Sequence, residues 1–479
     1  MPDPTRVLHV IPRCIGGGPE RSILALARET AALGVDHRHT VAVLDPPVTP
    51  AMFLQARRLG ITLAIAPAPD ELVGLAADAD VVQVHYWNHP ALSATLRTVA
   101  LPDARVLLWC HVLGLHAPQV FTGDVARYAD RVVLTSNASS SAEGSRAAVA
   151  AGIPVDVVPA LTDPSRLDGF TPRAHDGCVV GYVGIVNAAK MHPRYAEMCA
   201  AVTHPDARFE VYGGGGGEEA LIQRATDLGI AERLVVHGPT EDVRAALEGM
   251  DAFGYPLAVD SYATSEKVLQ EAMWVGLPPV ILGHGGAAGM VTDGVTGVVA
   301  DDEAAYARAV DRLIADPALR ARLGAAARDH ARTMYDPVRQ TRAVLTIVDD
   351  LLRQPRRARP PLPGGDDAPG AAFVRSLGDR GGAFAVSLAG PTAGSGADAA
   401  ADAADREIAS SGDLVARGEG GVIHHRNAFP DDPHLLLWSG LVAAGSGDTE
   451  TARAEFAAAH HHGLGDDRPA RYAADLDRS

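Results

Sequence analysis

The stretch "SEKVLQEAMWVGLPPVIL", residues 265–282, places a helical run directly before the short apolar run "LPPVIL". That order is one step of an alternation that extends outward through most of the chain. Upstream lie "RVLHVI", "HTVAVLD", "ADVVQVHY", "ARVLLWC" and "DRVVLTS", each followed by ten or more residues with helical spacing. After a pause rich in Pro, Asp and Gly at 159–177 come "CVVGYVG", "ARFEVYGGGG", "ERLVVHG" and "DAFGYPL". Short β-branched runs alternating with helices predict a parallel, doubly wound sheet. The pause predicts two such units with a hinge between them and a ligand cleft at the carboxyl ends of the strands.

The fold class expected is α/β, with two Rossmann-like domains and a small α-helical C-terminal appendage. The boundaries read as 1–160, 161–335 and a closing helix at 336–355. A linker and low-complexity region at 356–419 follows, around "PRRARPPLPGGDDAPG" and "AGPTAGSGADAAADAAD", the latter expected to be mobile. Residues 420–479 read as one tetratricopeptide-like hairpin. Gly440, Gly447, Ala452, Phe456 and Ala459 keep that repeat's spacing, and a single copy cannot build a solenoid. The hairpin is expected to pack on the main body.

Composition excludes several classes. A formal charge of −17 opposes nucleic acid and anionic membrane surfaces, so an anionic ligand needs a local positive site. Aromatic residues make up 5%, too few for base-stacking platforms. The four cysteines are far apart without a CxxC pair, which argues against a zinc knuckle or a disulfide scaffold. The "HHH" at 460–462 has no partner cluster, and a metal site there is not expected. No run reaches the ~18 apolar residues of a membrane span, and no secretory leader opens the chain, so a cytoplasmic location is expected.

Positive charge is almost all arginine: 40 arginines stand against two lysines, Lys190 and Lys267. Where arginine serves for every generic surface cation, a retained ammonium marks a position that needs a compact, mobile point charge. "PRCIGGGPERSILALAR" (12–28) follows the first strand and opens a helix, so Gly17 and Gly18 let the backbone approach an anion at the helix N-terminus. Its spacing is not GxGxxG, and no dinucleotide fingerprint is present.

In order and spacing, "VGYVGIVNAAKMHP", "FEVYGGGGGEEALI", "LGIAERLVVHG", "EAMWVGLPPV" and "TDGVTG" resemble the retaining GT-B nucleotide-sugar glycosyltransferases of family 4. "IGGGPER" is similar to that family's N-terminal loop. The resemblance covers roughly residues 6–350. It implies that Gly184 and Lys190 hold the donor diphosphate and that Glu271 accepts hydrogen bonds from the donor ribose. Two departures stand out. Ile185 occupies the place of a family arginine, and Ala263 that of the first glutamate of the E-x7-E pair. Nearby Asp260, Glu266 and Lys267 are expected to take over those roles, with Arg21 as a further source of positive charge. His111, and by the same strand-end logic His85, are expected to face the acceptor cleft. The catalytic set implied is His111, Lys190 and Glu266.

The expected function is transfer of a sugar, with retention and without a metal or other cofactor, from a UDP- or GDP-linked donor to a small-molecule or glycan acceptor. Bacterial specialised-metabolite or surface-glycan synthesis is the expected setting. The leaving phosphate deprotonates the acceptor in this family, so no glycosidase-like carboxylate pair is required. Two rivals accompany this reading. One is a sugar-nucleotide epimerase, revealed by an epimerised donor. The other is a noncatalytic binding or partner subunit, revealed by binding without turnover.

Overall fold

The computed structural model describes residues 3–391 and 397–477. Two all-parallel sheets form its frame. The first contains β1 (Thr5–Ile11), β2 (His37–Val43), β3 (Thr62–Ile65), β4 (Val81–Tyr86), β5 (Val106–Cys110), β6 (Arg131–Leu134) and β7 (Val155–Val157). Their spatial order is β7-β6-β5-β4-β1-β2-β3. The second contains β8 (Cys178–Val183), β9 (Ala207–Tyr212), β10 (Leu234–Gly238), β11 (Ala252–Tyr255), β12 (Pro279–Leu282) and β13 (Val298–Ala300), in the order β10-β9-β8-β11-β12-β13. In each sheet the order reverses beside the first strand, which opens a crevice at the carboxyl ends. The central strands are buried along their whole length because helices cover both faces, and they read as continuous apolar runs for that reason.

The stretch 265–282 forms the helix Lys267–Val275 and then β12. Gly276 ends the helix at φ +92°, a conformation that a Cβ would strain. The helix Pro337–Leu352 leaves the second unit and returns to the first. Its Val344, Ile347, Val348 and Leu351 pack on Ala25, Leu26, Val81 and Trp109. Apolar residues spaced three and four apart supply that face.

The region 356–419 is largely folded, contrary to the linker expected there. Arg357–Arg359 pairs antiparallel with Leu101–Ala104, and Arg359 closes an ion pair with the buried Asp130. Helices then run over Pro369–Ser376, Gly382–Ala389, Ala397–Ala409 and Asp413–Arg417. Composition misled here because alanine-rich sequence is also good helix sequence. Ala401, Ala404 and Ile408 fall at helical spacing and are buried, and Phe373, Leu377, Phe384 and Ile408 share one core with the following helices. Part of the stretch expected to be mobile, residues 392–396, lies outside the described residues.

The hairpin expected near the end is present as helices Pro433–Gly445 and Thr449–His461. Gly440 lets the Phe456 ring approach, since a Cβ there would lie 2.5 Å from its Cε1. The hairpin does not stand alone. A buried polar network ties it to its neighbours: Trp438 Nε1 donates to Ser387 Oγ (2.9 Å), and Arg468 pairs with Asp405 (3.1 Å). Asp432 caps the first helix of the hairpin by accepting from the His434 and Leu435 N–H groups, and also accepts from Gly370 N. Asp432→Ala is expected to cost about 1–2 kcal/mol, the usual value of an N-cap. Denaturant unfolding that reports on this helical unit checks it.

Candidate active site

A cleft of about 600 Å³ lies between the two sheets. One wall is the loop Gly16–Gly18 after β1, where Gly16 adopts φ +102° and the helix Gly18–Ala32 begins. The opposite wall is built from Gly184 after β8, Gly213 after β9 and the start of the helix Lys267–Val275. Gly213 is sterically required, because a Cβ there would sit 1.7 Å from the Gly184 carbonyl oxygen. Two helix N-termini therefore open on the same space from opposite sides, a favourable place for an anion. The halves already meet at the base, where Thr135 Oγ1 donates to Thr264 Oγ1 (3.2 Å) and Ala160 N to Ser265 Oγ (3.0 Å).

Lys190 and Lys267 both line this cleft, in different electrostatic states. Lys190 Nζ lies 2.7 Å from Glu266 Oε2, and Tyr255 donates its hydroxyl to the same oxygen at 2.5 Å. Burial disfavours the Lys190 charge, but Glu266 and Tyr262 outweigh it and hold the ammonium above the usual lysine range. Among the described residues no carboxylate lies within ion-pair distance of Lys267. Its Nζ donates to the Leu161 carbonyl (2.7 Å), and burial, aided by Arg21 and Arg166, pushes it down to about 7 despite Glu271 and Glu20. Glu271 is buried and lies 3.3 Å from Arg166 Nη1. Burial raises its carboxyl, opposed by Arg166, Lys267 and Arg21.

The cleft thus gathers Gly17, Gly18, Gly184, Lys190, Glu266, Lys267, Glu271 and His111. Ile185 and Ala263, the two departures, line it as well. Two other expected residues are elsewhere. Asp260 is exposed and outside the cleft, because the loop beyond Leu257 turns outward after Ala258 N bonds Lys190 O (2.9 Å). His85 is fully buried behind His111. It lies inside a central strand that is covered on both faces, whereas His111 lies one residue beyond its own strand.

His85 belongs instead to a row of four rings. His111 Nε2 meets His85 Nδ1 (2.8 Å), His85 Nε2 meets His9 Nδ1 (3.0 Å), and His9 Nε2 meets His39 Nδ1 (2.9 Å). Burial keeps all four rings below the usual histidine range, with His111 at about 3 and His39 at about 4. A neutral row joined head to tail has only two hydrogen-bond polarities, so the partner of His111 in the cleft selects the tautomer of every ring. Other cleft residues carried no motif in the sequence. Arg166 sits in the segment read as a hinge, and Glu419 in the one read as a linker.

Residues 168–330 match the family described as "Glycosyl transferases group 1". The chain is 37% identical over 135 residues to a GDP-mannose-dependent alpha-(1-6)-phosphatidylinositol monomannoside mannosyltransferase of Mycolicibacterium smegmatis, covering 26% of this chain and 35% of that one. To a D-inositol 3-phosphate glycosyltransferase of Stackebrandtia nassauensis it is 29% identical over 291 residues, covering 53% and 64%. The matches therefore span between about a third and two thirds of these relatives. Among solved structures, the Anabaena protein HepE in complex with UDP superposes with TM-score 0.58 at 17% identity, over 72% of this chain and 100% of that one. A glycosyltransferase of Rickettsia africae does so with TM-score 0.60 at 14% identity, over 74% and 100%. At these identities the likeness concerns the fold, the two-domain GT-B architecture, to which this chain adds a helical C-terminal region.

Proposed function

We propose that this chain, whose residues 168–330 match the group 1 glycosyl transferases, transfers a sugar from a nucleoside diphosphate donor to an acceptor hydroxyl, with retention. The observation that carries the reading is the convergence of Lys190, Lys267, Arg21 and Arg166 with Glu271 in the cleft between the sheets. These cations and the two helix N-termini neutralise a diphosphate, and we propose that they do so without a metal. Lys190 follows the leaving oxygen as charge develops, Glu266 orients that ammonium, and Glu271 receives the ribose hydroxyls. Lys267 and Arg21 supply the positive contact that Ile185 lacks. The leaving phosphate takes the acceptor proton on the same face, and His111 binds a sugar hydroxyl beside the reacting carbon. Closure about 159–177 expels water so that transfer outruns hydrolysis. Among the described residues no helix is long and apolar enough to cross a membrane. The four cysteines are free and buried, which suits a reducing cytoplasm.

A thermal-shift screen with UDP- and GDP-sugars tests the reading, since a ligand that binds the folded state alone raises the melting temperature. Absence of a shift with either nucleotide would sink it. Product analysis by NMR then separates retained glycoside from inverted glycoside or epimerised donor. Glu271→Ala is expected to weaken nucleoside diphosphate binding about tenfold, the value of a charged hydrogen-bond acceptor. Calorimetry with UDP and GDP checks it, and unchanged affinity would displace Glu271 from the ribose.

A further inference from the structure

The helical C-terminal unit is part of the cleft. The loop between its helices Asp413–Arg417 and Val422–Ala428 is held on the first domain: Gln119 Nε2 donates to the Glu419 carbonyl (2.6 Å), and a Cβ at Gly420 would lie 2.4 Å from the Asn88 carbonyl oxygen. This close seating sends the Glu419 side chain into the cleft, where Trp87 Nε1 donates to its Oε1 (3.0 Å). Glu20, in the first turn of the helix Gly18–Ala32, lines the cleft near Glu419. It is 4% exposed, its Oε1 accepts from Ile15 N (3.2 Å), and its Oε2 has no partner among the described residues.

The charges here do not balance. Arg13 is the cation beside Glu419, and its Nε is already paired with Asp45 (3.1 Å). His89 and His424 lie beside it, and burial keeps both below the usual histidine range. Each accepts a backbone N–H at Nδ1, from Ala91 (3.1 Å) and Gly420 (2.9 Å). His424 Nε2 in turn faces the Arg13 guanidinium (Nη2 at 3.3 Å), so a cation already stands where Asp45, His89 and His424 converge. Glu20 and Glu419 are left as two carboxylates raised by burial, and among the described residues neither has a lysine or arginine within ion-pair distance, although Arg13 offsets part of the effect on Glu419. Arg166 and both lysines also line the cleft, and Arg21 follows Glu20 on the first-domain helix; Arg21 and Lys267 act on Glu20 through space, whereas Glu419 has Arg13 as its cationic neighbour. The carboxylate pair thus adjoins the cationic part of the cleft.

We propose that Glu419, brought by the helical unit, and Glu20 form the acceptor subsite, and that this subsite takes a polyhydroxylated acceptor bearing a protonated amine. The proposal rests on the glycosyl-transfer reading above. An ammonium between the two carboxylates gains charge-assisted hydrogen bonds and relieves their mutual repulsion. A phosphorylated acceptor meets that repulsion instead. Trp87 is a positioning residue that holds Glu419 in place.

The test measures binding of glucosamine, glucose and glucose 6-phosphate by calorimetry to the full-length protein at pH 6.5, with and without saturating UDP. Glucosamine is expected to bind at least tenfold more tightly than glucose, with glucose 6-phosphate weakest, and the preference should shrink as salt rises. Glu419→Gln, which keeps the shape and removes the charge, should reduce the amine preference severalfold while UDP affinity stays as in the wild type. Equal affinities for glucosamine and glucose, no binding by any of the three, or a preference intact in Glu419→Gln would overturn the proposal. Should the variant fail to fold, the salt dependence in the wild type decides the matter. The UDP measurement is separate, so a protein that fails to bind UDP refutes the transfer reading while the probe series without UDP still tests the subsite.

Discussion

Lys190→Ala is expected to lower sugar transfer about a hundredfold, a loss of about 2.7 kcal/mol in transition-state stabilisation. The ammonium lies between a carboxylate that fixes it, Glu266 Oε2 at 2.7 Å, and the open cleft. In the resting protein its charge is already balanced. Its contribution to catalysis grows as the leaving diphosphate gains negative charge, so kcat should fall more than nucleotide affinity. Lys190→Arg should also be impaired, because a planar fork bound to Glu266 cannot turn toward a moving oxygen. Glu266→Gln should give a smaller loss in kcat, since it leaves the ammonium present and less firmly aimed. Single-turnover transfer, with Kd for UDP measured in parallel, checks all three. Wild-type turnover in Lys190→Ala would remove the lysine from the reacting phosphate.

The second large effect is a pH dependence at Lys267. With its pKa pushed down to about 7 by burial, this lysine is neutral in much of the free protein above pH 7 and charged below it. A bound diphosphate supplies the missing counter-charge and raises that pKa. Binding above pH 7 therefore takes up a proton, and affinity should fall about tenfold per pH unit between pH 7 and 9. The nucleotide does not mask this, since a terminal phosphate with a second pKa near ~6 is already ionised there. Calorimetry in buffers of different ionisation enthalpy should show uptake approaching one proton at pH 8.5, absent in Lys267→Met. A flat affinity profile in the wild type would mean that Lys267 serves the Leu161 carbonyl and the packing around it. Stability of the free protein carries the opposite sign. The unfolded chain, with an ordinary lysine, binds more protons between pH 7 and about 10.4, so this group's contribution to stability rises across that window and is lost as pH falls toward 7.

The two lysines show how much of the site could be read from the chain itself. Their scarcity, and the spacing of Lys190 from Gly184, singled out two groups that do share one cleft. Spacing could not reveal that one ammonium would be balanced by Glu266 in contact, while the other would contact a carbonyl and have burial outweigh the more distant Glu271 and Glu20. That difference comes first from burial and then from residues distant in sequence, Arg21 and Arg166, which the fold brings close enough to repel. Asp260 and His85 failed for a related reason. A loop's direction and the covering of a strand's end depend on what packs against them, and neither leaves a local trace.

The sequence by itself determined the two parallel sheets, the crevice at their carboxyl ends and the family series from Gly184 to Gly297. Strand and helix periodicity and glycine sterics act over a few residues and need no partner. Tertiary structure alone decided where the helices between 356 and 477 pack. Alanine-rich helices have no strong preference for a place, and their position follows from burying Phe373, Phe384, Ile408 and Trp438 together. Only that packing sets the Glu419 loop on Gln119 and Asn88 and carries a carboxylate from the chain's last quarter into a cleft built by its first two thirds.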